Sequence, residues 1–234
     1  MNKKLLFASV FIVLGLIALQ LPINQLAASK VKFTGFDLFA PTAGAFLGIG
    51  WAIASVFVTQ VANLMLHGVQ SVDRGAIIRL FPTLFGLWYF ATSFKGVSLK
   101  GGRIIMLIPL LSILVFIAHP VGRTVWFYSL FWLIPFVVWP FRERFLLLRS
   151  LGATFVAHSV GGAIWIWAFN LPATVWISLI PVVVLERAIF ALGISASYIM
   201  FNNLFGVLAR KKLLPRGLLI ESRYLLPTLR TKTR

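Results

Sequence analysis

The chain predicts an all-α fold, a polytopic helical membrane protein of about 6–8 membrane segments with both termini in the cytoplasm. Three observations carry that prediction. Hydrophobic residues make up 60% of the 234 and charged residues only 12%, where a soluble domain carries about a quarter charged residues. Long apolar runs recur from end to end and leave no room between them for a soluble domain of ordinary size. The basic residues, 22 against five acids, flank those runs instead of forming a separate stripe.

The first element follows Lys3 and Lys4 and runs over 5–21. It reads as a retained first span or as a signal sequence, with Ala27, Ala28 and Ser29 as small residues for cleavage. Segments at 36–48 and 52–67 come next, separated only by Gly48-Ile49-Gly50. They form a tight hairpin, a re-entrant pair or one broken helix. Further segments lie near 77–94, 104–118, 124–140 and 151–169. The last, 174–209, is longer than the ~20 residues a crossing needs. Pro181 and the pair Glu186-Arg187 divide it into an outer interfacial or dipping helix and a crossing. Residues 1–209 form one transmembrane domain, and 210–234 form a basic cytoplasmic tail on the inner leaflet or a simple positive anchor.

Basic residues set the orientation, because cytoplasmic loops carry the excess of Lys and Arg. With the N-terminus inside and eight crossings, the inner side receives Lys3, Lys4, Lys95, Lys100, Arg103, Arg142, Arg144, Arg149 and the tail from Arg210 onwards. The outer side receives only Lys30, Lys32, Arg74, Arg79 and Arg123. A single crossing by 36–67 would place either Lys3-Lys4 or the basic tail outside, so parity favours the hairpin. The expected location is the cell membrane, multi-pass, in contact with membrane lipids.

A net charge of +17 raises nucleic acid as a partner, but the distribution of the charge and the lack of any nucleic-acid motif argue against it. There is no Cys, which removes disulfides, thiolate metal sites and cysteine nucleophiles. No zinc-protease, serine-hydrolase or phosphate-loop motif is present. No cofactor, metal or catalytic step is assigned.

Glu186 and Arg187 sit inside the apolar run from Ala173 to Ala209. Ionised groups there are costly and face a cavity, a partner or a substrate path. Adjacent residues on a helix point about 100° apart, so each is expected to find its own partner, either a substrate or a clamping helix. Asp37 opens segment two ahead of Pro41 and reads as a helix start, at the same outer depth as Glu186. His158 is mid-segment and needs a partner: Glu186, a ligand or another helix. Trp165 and Trp167 read as a stacking platform or as an interface belt. Gln60, Asn63 and His67 share one face of segment three. Asn202 and Asn203 read as glue between helices. Ala40, Gly44, Gly48 and Ala52 repeat every four residues, a spacing for close internal packing or for docking a partner helix.

The stretch from Phe36 to Ala52, FDLFAPTAGAFLGIGWA, resembles the paired second and third helices of substrate-binding S components of energy-coupling-factor vitamin transporters. Those helices carry a Leu-Ala-Pro … Gly-x-x-x-Gly-Pro-x-x-Gly-Ala pattern. The resemblance covers about 30 of the 234 residues. Two features depart from it: eight segments instead of six, and no Ala-x-x-x-Ala row in segment one. The resemblance implies an outward-facing cavity for a small vitamin-like molecule, covered by the loop from Pro22 to Gly35. It also implies a coupling membrane subunit and ATP-binding subunits that drive release.

The leading expectation is therefore a small-molecule binding and uptake protein, with Asp37, Gln60, Asn63, His158, Glu186 and Arg187 as polar contacts. One rival is a membrane-embedded enzyme acting on a lipid or lipid-linked substrate, with His158 and Glu186 as an acid–base pair within hydrogen-bond reach. The other is a structural scaffold whose polar residues only lock helices together.

Overall fold

The first apolar run forms helix α1 (Lys3–Leu19). A computed structural model describes residues 3–25, 32–66, 73–92, 104–212 and 220–230. After α1 a short antiparallel hairpin pairs β1 (Pro22–Gln25) with β2 (Lys32–Thr34). The return run is broken into α2 (Gly35–Phe39), a 3-10 turn at Ala40–Thr42 and α3 (Ala43–Leu47). Pro41 lies in that turn, where its missing N–H interrupts regular helix bonding. Gly48 follows at φ 77°, a conformation that costs a side-chain-bearing residue but not glycine. The chain then enters α4 (Ile49–Leu66).

Two contacts fix how these runs lie. Gly15 of α1 sits against Thr59 of α4, and Gln20 Nε2 donates to Asn63 Oδ1 at 2.9 Å. Residue numbers rise together along both helices, so α1 and α4 are parallel. Two parallel neighbours require a return between them, and α2–α3 supplies it, packing on α4 beyond Gly48. Segments 36–48 and 52–67 are therefore two runs, not one broken helix. At 1.5 Å per residue the return covers about 20 Å, short of a ~30 Å hydrocarbon core.

The remaining elements are α5 (Arg74–Ile78), α6 (Pro82–Ala91), α7 (Leu107–Ala118), α8 (Pro120–Thr124), α9 (Ile134–Val138), α10 (Leu146–Phe169) and α11 (Ala173–Arg210). The 77–94 segment is thus two helices, separated ahead of Pro82. The 124–140 segment is 3-10 helix over Trp126–Leu133, then α9, then a 3-10 turn at Trp139–Phe141. Pro135 and Pro140 deny that stretch the continuous donors of an α-helix.

Helix α10 is the central element, packed on α6, α7, α9 and α11. A Cβ on Gly86 of α6 would meet the Ala153 carbonyl oxygen at 2.9 Å, and one on Gly152 of α10 would collide with Tyr89. The two helices approach backbone to backbone there. Asn170 ends α10 in the left-handed region (φ 45°, ψ 44°), its N–H returning to Ile166 O at 3.2 Å. Asn tolerates that conformation, and the chain reverses within three residues into α11.

Among the described residues, three helices are long and apolar enough to cross a membrane: Ile49–Leu66, Leu146–Phe169 and Ala173–Arg210. The last is one helix of 38 residues with Pro181 inside it, which corrects the expected division at Pro181 and Glu186-Arg187. Val184, Leu185 and Leu192 of α11 are exposed, whereas Val183, Glu186, Arg187, Phe190 and Ile194 are buried. That 3–4 spacing is one helix face, so both charged residues face the protein and not lipid.

The small-residue row is used inside the molecule. Ala40 and Ala52 are fully buried, and Gly44 lies against Leu87 and Ala91 of α6. Gly48 of that row has open space around it among the described residues. A partner helix cannot reach Ala40, Gly44 or Ala52 in this arrangement, which corrects their assignment to docking.

A candidate polar site between α10 and α11

Glu186 and Arg187 contact each other, contrary to the expectation of separate partners. Arg187 Nη2 lies 3.5 Å from Glu186 Oε2, with both side chains over nine-tenths buried. The length of the arginine side chain lets its head curl back across the turn. Arg187 Nη1 donates to Thr154 Oγ1 of α10 at 3.1 Å. Its guanidinium also lies 4.4 Å from the Phe190 ring centroid, a favourable cation–π position. Glu186 Oε1 is buried and has no hydrogen-bond partner among the described residues. A buried acceptor without a donor costs about 1–3 kcal/mol, more when charged.

Asp37 is the third residue of α2. Its Oδ2 accepts from the Thr34 N–H at 3.0 Å and from the Thr34 hydroxyl at 3.4 Å. This is the acidic half of a capping box, so Asp37 starts a helix as its sequence context predicts. It also lies close enough to Arg187 to act on it electrostatically, as do Glu186 and Tyr128. Asp37, Glu186 and Arg187 thus belong to one neighbourhood.

His158 belongs to an aromatic cluster beside it. Trp132 Nε1 donates to His158 Nδ1 at 3.0 Å. An indole N–H can only donate, so Nδ1 keeps its lone pair and the ring proton sits on Nε2. Nε2–H then donates to the Tyr128 hydroxyl oxygen at 3.2 Å. Both ring nitrogens are engaged, and neither is bonded to Glu186. The enzyme reading needs His158 and Glu186 within hydrogen-bond reach, directly or through one water; the structure forms no direct bond between them. Tyr128 lies close enough to Glu186 and Arg187 for both charges to act on it.

Gln60 and Asn63 lie elsewhere. Gln60 Nε2 donates to Leu80 O at 3.1 Å, tying α4 to the turn before α6, and Asn63 binds Gln20. Both make hydrogen bonds between elements of the fold. His67 lies outside the described residues. Trp167 Nε1 donates to Val115 O at 3.0 Å, and Trp165 lies against Phe169 in a tilted pair with centroids 4.3 Å apart. No group of three His, Asp or Glu side chains among the described residues is placed to hold a metal ion.

No family model, curated protein or solved structure matches this chain. Its function is to be argued from its own geometry.

A second charged centre lies at the N-terminal end of α10. Arg149 stands in the first turn of α10, not in a cytoplasmic loop, and is 0% exposed. Its Nε donates to Arg142 O at 3.0 Å, and its Nη1 lies 3.4 Å from Glu221 Oε2. Tyr198 donates to the same Glu221 oxygen at 2.9 Å, and Arg223 pairs with Glu221 Oε1. Asn202 donates to Glu221 O at 3.0 Å and accepts from Glu221 N at 2.9 Å. Asn203 does the same across Tyr224 O and Leu226 N, at 2.8 and 2.7 Å. The described part of the basic tail therefore docks on α11, and Asn202 and Asn203 hold the tail instead of a neighbouring helix. The one signal in the sequence was Glu221 itself, a lone acid in a basic tail.

Proposed function

We propose that this chain is a multi-pass membrane protein that binds and takes up a small polar molecule, with the site at Glu186, Arg187, Asp37 and Tyr128. The observation that carries this reading is Glu186 Oε1, a buried carboxylate oxygen without a donor among the described residues. A ligand N–H or O–H would relieve that cost, as the few placed polar groups of an otherwise apolar site do. Aromatic rings and His158 form the adjoining wall.

The same reading takes the protein as spanning the cell membrane about 6–8 times with both ends inside. The parallel course of α1 and α4 and the distribution of basic residues support it. The resemblance of 36–52 to S components adds a coupling membrane subunit and ATP-binding subunits as partners. The polar contacts narrow to the Arg187 neighbourhood, with Gln60 and Asn63 as ties between helices.

The test is to purify the chain from its native membranes in mild detergent, release bound small molecules with solvent and identify them by mass spectrometry. One polar compound should be enriched with the wild type and with Glu143→Gln at an exposed position. Losing one hydrogen bond to a charged group predicts recovery about tenfold lower with Glu186→Gln. Finding the same compounds on an unrelated membrane protein would end this reading. Protein mass spectrometry of the same sample reports on the coupling and ATP-binding subunits.

A further inference from the structure

Among the described residues, the buried charges around Arg187 do not cancel. Asp37 and Glu186 both lie close enough to Arg187 to act on it, which sets two carboxylates against one guanidinium. The next cation, Arg79, acts on Asp37 from an exposed position at the end of α5, where its Nε donates to Gly75 O at 3.2 Å. His158 accepts from Trp132 at Nδ1 and adds no charge. Arg187 is already engaged by Glu186 Oε2 and Thr154 Oγ1. Glu186 Oε1 is buried and has no donor among the described residues. Tyr128 stands beside the pair, and its ring packs against Phe116, Trp132 and Trp176, all aromatic and uncharged.

We propose, building on the binding reading above, that the ligand of this site is an organic cation with at least one N–H: an ammonium, amidinium or guanidinium group. A buried charge is costly unless it is paired. A cation at Oε1 balances the second carboxylate, and its N–H gives that oxygen the charge-assisted hydrogen bond it lacks. Before binding, a proton on Glu186 cancels the same charge; the ligand takes the place of that proton, which leaves to solvent. Aromatic rings beside a carboxylate also favour a cation over an anion.

The other ligand classes each leave something unmatched. An anion would meet two carboxylates, and the guanidinium that could attract it is shared between Glu186 and Thr154. A neutral N–H donor would satisfy Oε1 and leave the charge uncancelled. A quaternary ammonium would cancel the charge and leave Oε1 without a donor.

The test fractionates the compounds released from the wild-type chain after purification in mild detergent from its native membranes. The compound enriched over an unrelated membrane protein should be retained on a cation exchanger at pH 7 and released by salt. Its fragment mass spectrum should show a basic nitrogen that bears hydrogen. An enriched compound that is anionic, neutral or quaternary would overturn this ligand class and leave the binding reading standing. No compound enriched over the control would end both.

The recovered compound is then titrated back into purified protein. Glu143→Gln, at an exposed position, should bind it as the wild type does, and Glu186→Gln about tenfold more weakly. Equal affinity for a folded Glu186→Gln chain would overturn the proposal. The charge of the compound is read on the wild type alone, so a Glu186→Gln chain that fails to fold does not blunt the test.

Discussion

Arg187 of α11 donates to the Thr154 hydroxyl of α10 at 3.1 Å, 33 residues earlier in the chain. The two longest helices are therefore joined by a charged hydrogen bond inside the bundle. Thr154 is 4% exposed, so no solvent competes for that bond.

Thr154→Val keeps the side-chain shape and removes the acceptor. The expected loss is about 1.5–3 kcal/mol, the range for hydrogen bonds to charged groups. Thermal unfolding in detergent should show a lower Tm than wild type, and Thr154→Ser should restore most of it. An unchanged Tm in Thr154→Val would mean that Arg187 is held without this bond.

The hydrogen bond from Trp132 assigns the proton of His158 to Nε2. Nitrogen NMR of histidine-labelled protein should show the His158 resonance locked in the Nε2–H tautomer. Trp132→Phe frees Nδ1 and should convert that resonance to a mixture. The same tautomer mixture in both proteins would break the chain from Trp132 to Tyr128.

Gly86→Ala places a methyl 2.9 Å from the Ala153 carbonyl oxygen and 3.2 Å from the Ala157 side chain. Both α6 and α10 are regular helices at that level, so neither neighbour yields easily. A penalty of about 1–3 kcal/mol, typical of overpacking, is expected. Unfolding in a titration with a harsher detergent should begin at a lower concentration.

Asn202→Ala removes both backbone contacts to Glu221. At about 1 kcal/mol each, the tail should open roughly thirtyfold more often. Trypsin cleavage after Arg223 should accelerate accordingly, while cleavage elsewhere stays constant. Equal cleavage rates would show that the Asn202 contacts do not hold the tail.

Parts of the candidate site were legible before the structure. Asp37 announced a helix start because capping depends on residues three apart, and Thr34 supplies the matching half. The exposure of Glu186 and Arg187 to the bundle and not to lipid was a matter of helix face, yet their mutual contact was not foreseen. Helical spacing fixes where Cβ atoms point, but a long arginine side chain can curl back to its neighbour. Gln60 and Asn63 shared a face as expected. Gln60 meets the turn before α6 and Asn63 meets Gln20 at the end of the first run, partners that the spacing along α4 does not name.

By itself the sequence determined the helical class, the apolar runs and the break at Gly48. All of these follow from local chemistry: backbone donors, side-chain polarity and allowed dihedral angles within a few residues. Only the tertiary structure decided who partners whom. Arg149 and Glu221 are 72 residues apart, Trp132 and His158 are 26 apart, and no periodicity connects them. Burial of a charge demands a partner but does not name it, and the name came from how α10 and α11 pack.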